Sequence, residues 1–317
     1  MPAVFDSLVH NMDLTPHVAW RVAFIVPFIL IMALALGMIF LCEDTPTGRW
    51  QDRHKVISEG KVVDAAGNIT DAPSPSASVS PPLEKSEEKL TDLETCTDIK
   101  EIILSETVQA PTWKEAFKVY FSWQAVMLCF PYACSFGGEL AINSILGAYY
   151  FKNFPHLGQT KSGRWAAMFG LLNVICRPGG GIMGDVIYRS TGSVSAKKFW
   201  LLSLGTAQGV MMIAIGRTNP HRESLMFGLV AGLALFMDAS NGASFAVVPH
   251  VHPHANGILS GVVGAFGNLG GVLFSLVFRH YKTDYQTTIW IIGVVAIVVN
   301  VGVSWIRVIP KGQLGGR

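Results

Sequence analysis

One arginine stands in the middle of an apolar stretch of this 317-residue chain. Arg177 lies in the segment LLNVICRPGGGIMGD, where Pro178 and three glycines follow it directly. A charged side chain at that depth in a membrane is costly, so it normally faces a cavity or a charged partner. The guanidinium presents a planar fork of donors, which suits a flat oxyanion such as nitrate or a carboxylate. The residues alone allow two interpretations, an anion site or an ion pair that braces two helices.

A polar stripe lies along the preceding apolar run. Its members Tyr132, Phe136, Glu139 and Asn143 recur at steps of four, three and four residues, which places them on one face of a helix. The two aromatic rings could close around a planar ion, although this spacing also fits ordinary packing. Glu139 is a candidate proton site, because burial disfavours the charged form of a carboxyl group. Near the membrane interface it would simply be solvated.

Glycine dominates the sixth apolar run, GILSGVVGAFGNLGG. Its residues Gly257, Gly261, Gly264, Asn268 and Gly271 fall on one helical face. Small residues let membrane helices approach each other closely. Asn268 lies in the middle of this face, where it could orient a polar ligand or bond the backbone of a neighbouring helix.

Two further acidic groups have both structural and functional interpretations. Asp185 follows Arg177 by eight residues, near the end of the same run. With Arg189 we expect it to make a contact that gates or braces helices. Asp238 begins a polar stripe in FMDASNGASF that could line a cavity or bond between helices.

The alternating histidines of PHVHPHAN resemble a metal tract. No Cys or carboxylate adds a further metal ligand to these histidines. We therefore expect neither a metal site nor a cofactor.

The elements that must position these residues are membrane spans. Half of the residues are hydrophobic and 15 % are charged, against roughly 25 % in an ordinary soluble domain. A span needs about 20 mostly apolar residues. Seven runs qualify, at about 20–42, 121–150, 165–188, 199–215, 225–249, 257–278 and 288–308. The pattern predicts an all-α membrane protein with about seven transmembrane helices.

The charges and polar segments divide the chain into four parts. We predict an N-terminal segment with the first span (1–42), a cytoplasmic and disordered central loop (43–119), a six-helix bundle (120–310) and a cytoplasmic tail (311–317). The loop is rich in Pro, Ser and Glu, which bury too little apolar surface to fold. Eleven Lys and Arg residues flank the spans on the loop side and seven on the other side, which places the loop in the cytoplasm.

No basic stripe with aromatics indicates nucleic-acid binding, and no enzyme motif is present.

Several of these segments together carry a family resemblance. GILSGVVGAFGNLGG resembles the second signature of the nitrate/nitrite porter family within the major facilitator superfamily. CRPGGGIMGD resembles the segment of that family's eighth span that supplies a substrate arginine, and YACSFGGE resembles the aromatic segment of its seventh span. LCEDTPTGRW and the long loop are similar to fungal members, so the resemblance is close to the fungal high-affinity nitrate transporters.

The resemblance implies roles for individual residues. It implies that Arg177 binds the anion, that Tyr132 and Phe136 line the pocket, and that Asn268 lies near the substrate path. It also implies helix rocking at a set of glycines, Gly264, Gly267, Gly270 and Gly271. Family members of the fungal type are proton-coupled nitrate symporters of the plasma membrane. The implied partners are therefore nitrate or nitrite, protons and the lipid bilayer, and the implied process is nitrate assimilation.

The resemblance covers spans six to twelve of a twelve-span family. We therefore expect a truncated chain, with one helix of the N-terminal bundle, a complete C-terminal bundle and a missing N-terminal half. On that expectation the chain alone would give no nitrate uptake, because alternating access needs two halves around a midplane site. The alternative is a non-transporting membrane sensor or regulatory half-protein that binds an anion or a partner. A seven-helix receptor explains the span count but not the glycine face.

Overall fold

A computed structural model of the chain describes residues 2–42, 61–63, 69–71 and 113–309. Within these ranges seven helical segments are long and apolar enough to cross a membrane. The predicted fold class, an all-α membrane protein with about seven spans, is confirmed.

The N-terminal part contains three helices, α1 (Pro2–His10), α2 (Pro16–Ala23) and α3 (Ile25–Leu41). The last two form the first candidate span, Pro16–Leu41. The break between them falls at Phe24, just before Pro27. Proline has no N–H and so cannot donate to the carbonyl of Ala23, which accounts for the interruption.

Six long helices follow in the C-terminal part. They are α5 (Trp123–Asn153), α6 (Gly158–Thr191), α7 (Val194–Thr218), α8 (Glu223–Val251), α9 (Asn256–Tyr281) and α10 (Tyr285–Gly302), and a short helix α4 (Trp113–Tyr120) precedes them. Local sequence fixes several ends. The Ser122 hydroxyl caps α5 by accepting from the Ala125 amide at 3.1 Å, and Gly192 ends α6 with a φ of 65°.

The bundle is built from three closely packed helix pairs, α5 with α9, α6 with α8, and α7 with α10. Glycine makes each approach possible. A Cβ added at Gly137, Gly180 or Gly209 would lie within 3 Å of the facing helix. These pairs place the backbones of α6 and α8 in direct contact at the depth of Arg177.

The last span differs from its prediction. Its helix ends at Gly302, six residues before the predicted end at Val308. The buried Lys198 ammonium, near the start of α7, donates to the carbonyl oxygens of Ser304 at 2.7 Å and Ile306 at 3.1 Å. An ammonium brought to these carbonyls stabilises a non-helical turn there.

The predicted disordered loop (43–119) is described only in part. Its final residues, from Trp113 on, belong to helix α4. Strands β1 (Lys61–Val63) and β2 (Ile69–Asp71) pair antiparallel, with Lys61 opposite Asp71. The rest of the loop and the tail 311–317 lie outside the described residues.

Candidate functional site

An ion pair joins α5 and α6 near the middle of both helices. Arg177 Nη2 donates to Glu139 Oε2 at 2.9 Å. The two side chains differ in access, since Arg177 is 36 % exposed and Glu139 is 9 % exposed. The sequence interpretation of Arg177 as one half of a helix-bracing ion pair therefore describes a real contact. The Arg177 side chain nevertheless stays partly exposed, although its Nε is buried.

Two amides hold the carboxylate from either side. Asn173, one turn before Arg177 on α6, donates to Glu139 Oε1 at 2.6 Å. Asn241 on α8 donates to Glu139 Oε2, also at 2.6 Å. Three helices thus converge on one carboxylate, and three donors satisfy a charge that would otherwise be costly to bury.

An aromatic wall lies beside the guanidinium. The rings of Tyr132 and Phe136 stack with centroids 5.3 Å apart and an interplanar angle of 7°. Arg177 Cζ lies 5.5 Å from the centroid of Phe136, a cation–π distance. Phe245 on α8 meets Tyr132 edge-on at 5.3 Å. A guanidinium beside flat aromatic faces is an arrangement that suits a small planar anion.

Glycine on α9 makes room for the aromatic pair. A Cβ at Gly267 would lie 2.5 Å from Tyr132 Cε1 and 2.8 Å from Phe136 Cδ1. Gly270 meets the backbone of Ala133 even more closely, and Gly271 faces Leu140. Three of the four glycines implied for rocking therefore carry the contact between α5 and α9.

The other two α9 residues singled out by sequence lie elsewhere. Gly264 has nothing within 4 Å of its added Cβ. Asn268 is exposed, and its amide donates at 2.9 Å to the Gly264 carbonyl of its own helix. It bonds neither the ion pair nor a neighbouring helix among the described residues. The structure thus brings together Arg177, Tyr132 and Phe136, but not Asn268.

Asp185 belongs to a separate cluster at the end of the bundle. Its carboxylate pairs with Lys197 of α7 at 2.6 Å, a contact between helices, whereas Arg189 is exposed. Lys197 also donates to the Ala246 carbonyl and contacts His250 Nε2, each at 3.0 Å. An ammonium can only donate, so His250 accepts through Nε2 and its imidazole is neutral. The cluster joins α6, α7 and α8.

Two histidines of the α8–α9 turn have described side chains, and these have different neighbours. His250 faces Lys197, whereas burial and the nearby Lys118 charge lower the pKa of His252. The side chain of His254 lies outside the described part. Among the side chains that the structure describes, no three His, Cys, Asp or Glu groups are placed to hold a metal ion.

Sequence reasoning missed two partners of the site. Asn173 stands four residues before Arg177, a spacing that puts both on one helical face, so its role could have been read from the sequence. Asn241 was noticed only as part of a polar stripe. Its contact with Glu139 depends on how α8 packs against α5, which no local pattern gives.

Long apolar helices around a central, partly exposed ion pair define a polytopic membrane protein. The Major Facilitator Superfamily matches residues 8–275. The chain belongs to that superfamily.

Three individual proteins are similar to this chain over much of its length. Elsinochrome transporter 1 of Elsinoe fawcettii is 38 % identical over 92 % of this chain and 61 % of its own length. High affinity nitrate transporter 2.5 of Arabidopsis thaliana is 30 % identical over 96 % of this chain and 51 % of its own length. Nitrate/nitrite transporter NrtP of Nostoc punctiforme is 30 % identical over 60 % of this chain.

The chain thus spans about half to three fifths of the length of the first two relatives. Together with the family match, these relatives are consistent with the nitrate/nitrite porter family to which the sequence motifs pointed.

Proposed function

We propose that this chain takes part in moving nitrate, with nitrite as the other candidate, across the plasma membrane. One observation carries the proposal: the partly open Arg177 guanidinium lies at mid-span beside a stacked aromatic pair. Its planar fork matches the oxygens of a flat anion, and the adjacent rings offer flat faces beside it. Relatives named for nitrate transport support the choice of substrate.

The contact between Arg177 and Glu139 suggests how anion binding is coupled to proton binding. Arg177 Nη2 donates to Glu139 Oε2 at 2.9 Å. A bound anion would need the same Nη2 donor for one of its oxygens. An anion must therefore compete with the carboxylate for the guanidinium. A proton on Glu139 removes its charge and ends the competition, so the proton and the anion favour each other's binding. This is the physical basis on which we propose proton-coupled transport.

Alternating access rocks two bundles around a midplane site. The six helices α5 to α10 form one such bundle, so we include a second bundle among the proposed partners. The close glycine contacts of α9 with α5, and the Asp185 cluster, are the contacts we propose to shift or hold as the bundles move. Asn268 and Gly264 lie on the open face of α9, where a substrate path or a second bundle could meet them.

A second candidate substrate comes from the relative at 38 % identity, which is named for elsinochrome. The two substrates can be separated by competition. If elsinochrome, and not nitrite, displaces nitrate from the purified chain, the substrate class of this proposal is wrong.

The first experiment is nitrate binding to the full chain in lipid nanodiscs. We expect saturable binding that Arg177→Lys weakens by about tenfold or more, since lysine loses the planar fork. Arg189→Lys on the same helix is the matched control, because Arg189 is exposed outside the site, and it should leave the affinity unchanged. Equal affinity in wild type and Arg177→Lys would remove Arg177 from the site.

The second experiment separates transport from binding alone. Cells without their own nitrate uptake would express this chain together with the part of the Arabidopsis relative that it does not match. We expect labelled nitrate uptake that Arg177→Lys reduces. Binding by the purified chain without uptake in any such combination would favour the sensor or regulatory alternative.

A further inference from the structure

A second acid lies in the core of the bundle beside the ion pair. Asp238 on α8 is fully buried, at 0 % exposure. Neither carboxylate oxygen has a hydrogen-bond partner among the described residues. An ionised carboxylate buried without a partner is strongly destabilising, whereas the neutral acid is tolerated at far lower cost. The surroundings of Asp238 therefore favour its protonated form.

Its position ties it to the candidate anion site. Asp238 precedes Asn241 by three residues, which puts both on one face of α8. Asn241 bonds Glu139, and the next residue, Gly242, meets the backbone of Arg177 so closely that a Cβ would lie within 3 Å. Asp238 lies within range of the charges of Glu139 and Arg177. One turn of α8 separates it from Asn241, the residue that bonds the Glu139 carboxylate.

The ionisable groups around Asp238 are few. The ionisable groups whose charges reach it are Glu139 of α5 and Arg177 of α6, and Cys176 of α6 lies within range of the charge of Asp238. Helix α7 has no ionisable side chain between Lys198 and Arg217, and α9 has none before Arg279. No described cation other than Arg177 is therefore placed to neutralise Asp238.

The charge of the site depends on that one proton. With Asp238 protonated, Arg177 and Glu139 cancel and the empty site is neutral. With Asp238 ionised, two carboxylates face one guanidinium, and the site carries a net negative charge in a poorly solvated interior. Such a site repels an anion, because like charges interact strongly where water is excluded.

We propose that Asp238 is a second protonation site of the anion-binding centre, and that it must hold its proton for an anion to bind. This rests on the proposed function, since it concerns the same site. The proton comes from water on the side to which the site is open and returns there when Asp238 ionises. Glu139 takes up a proton when the anion displaces it from Arg177, whereas Asp238 keeps its proton in both the empty and the filled site.

The test is nitrate binding to the full chain in nanodiscs across a range of pH, for wild type and Asp238→Asn. Asparagine has the shape of the neutral acid but cannot ionise. We expect the two proteins to bind equally well at acidic pH. At alkaline pH Asp238→Asn should bind about tenfold more tightly than wild type, because one repulsive charge has been removed. Asp185→Asn, which alters an exposed carboxylate in the other cluster, should follow the wild-type profile.

Two results would overturn the proposal. Identical pH profiles for wild type and Asp238→Asn would show that Asp238 does not control binding. Loss of binding at every pH in folded Asp238→Asn would show that the charged form is required. If wild type binds no nitrate at any pH, the proposed function itself fails. That outcome is distinct from the first result above, in which wild type and Asp238→Asn both bind nitrate with the same pH profile.

A spectroscopic measurement covers the case in which Asp238→Asn does not fold. Wild-type chain carrying isotope-labelled aspartate should show the infrared carbonyl band of a protonated aspartic acid at neutral pH. That band should decline in the same alkaline range in which nitrate affinity falls. Only ionised aspartate at neutral pH would contradict the proposal.

Discussion

The bundle contains two ion pairs whose exposure is reversed. In the mid-span pair the cation is the open partner, with Arg177 at 36 % and Glu139 at 9 % exposure. In the end cluster the cation is the closed partner, with Lys197 at 3 % and Asp185 at 57 % exposure. The same charges, Arg or Lys with a carboxylate, therefore face the surroundings in opposite ways.

The number of partners on each cation explains what the difference means. The Lys197 ammonium contacts Asp185, the Ala246 carbonyl and His250, so its three donors are used. Arg177 has five N–H donors, and Glu139 is its one hydrogen-bonded side-chain partner within the described residues. A cation with free donors and open access can take an external anion. A cation with none free is a brace between helices.

The largest effect should come from removing the open cation. In Arg177→Met the buried Glu139 carboxylate keeps its two amide donors but loses its cationic partner. Breaking such a pair lowers the free energy of unfolding by roughly 3 kcal/mol or more. We expect the free energy of unfolding to drop most at high pH, where Glu139 is ionised, and to recover as acid protonates it. Chemical unfolding in detergent at several pH values measures this.

The double substitution Arg177→Met with Glu139→Gln is the control for that prediction, because it removes both charges. It should restore most of the lost stability. A loss that is independent of pH, and that the second substitution does not repair, would mean that Glu139 is not the stranded charge.

A smaller loss is expected where α6 and α8 touch. Gly242→Ala places a Cβ on the Arg177 backbone and should destabilise the chain by about 2 kcal/mol, the usual scale of overpacking. Gly264→Ala is the matched control, since nothing lies within 4 Å of that position. It should leave stability unchanged or slightly raised. Equal effects at the two glycines would contradict the close contact at Gly242.

Removing the closed cation should affect stability without affecting the anion. Lys197→Met loses three hydrogen bonds but leaves Asp185 in contact with solvent, so we expect a loss of about 1–2 kcal/mol. Nitrate affinity should stay at the wild-type value. A fall in affinity as large as that of Arg177→Lys would show that the two pairs do not have separate roles.

The smallest effect should follow from the exposed acid. Asp185→Asn keeps a hydrogen-bond acceptor beside Lys197, and an ion pair with one open partner contributes about 1 kcal/mol or less. We expect a small change in the thermal midpoint that added salt diminishes. A loss larger than that of Lys197→Met would contradict the view that the buried ammonium, and not the carboxylate, holds the cluster.

Local sequence was enough for some parts of this account. The spans followed from apolar length, and Arg177 stood out because a charge inside such a run needs a partner or a cavity. Tyr132 and Phe136 were found by helical spacing, and the structure stacks them at 5.3 Å.

Contacts between helices were not predictable in the same way. Asp185 was expected, with Arg189, to gate or brace helices, but the sequence did not identify its partner, Lys197 of the next helix. The early end of α10 depends on Lys198, about a hundred residues earlier in the chain. Asn268 has a side chain that could bind a ligand, but it is exposed and donates to the Gly264 carbonyl of its own helix. Each case depends on tertiary packing, which periodicity does not encode.

The central claim is that an anion and Glu139 compete for Arg177. Calorimetry of nitrate binding in buffers of different ionisation enthalpy counts the protons taken up with the anion. We predict proton uptake by the wild-type chain, and binding without proton uptake by Glu139→Gln, whose neutral side chain no longer competes. Equal proton uptake in the two proteins, or loss of nitrate binding in a folded Glu139→Gln chain, would contradict the claim.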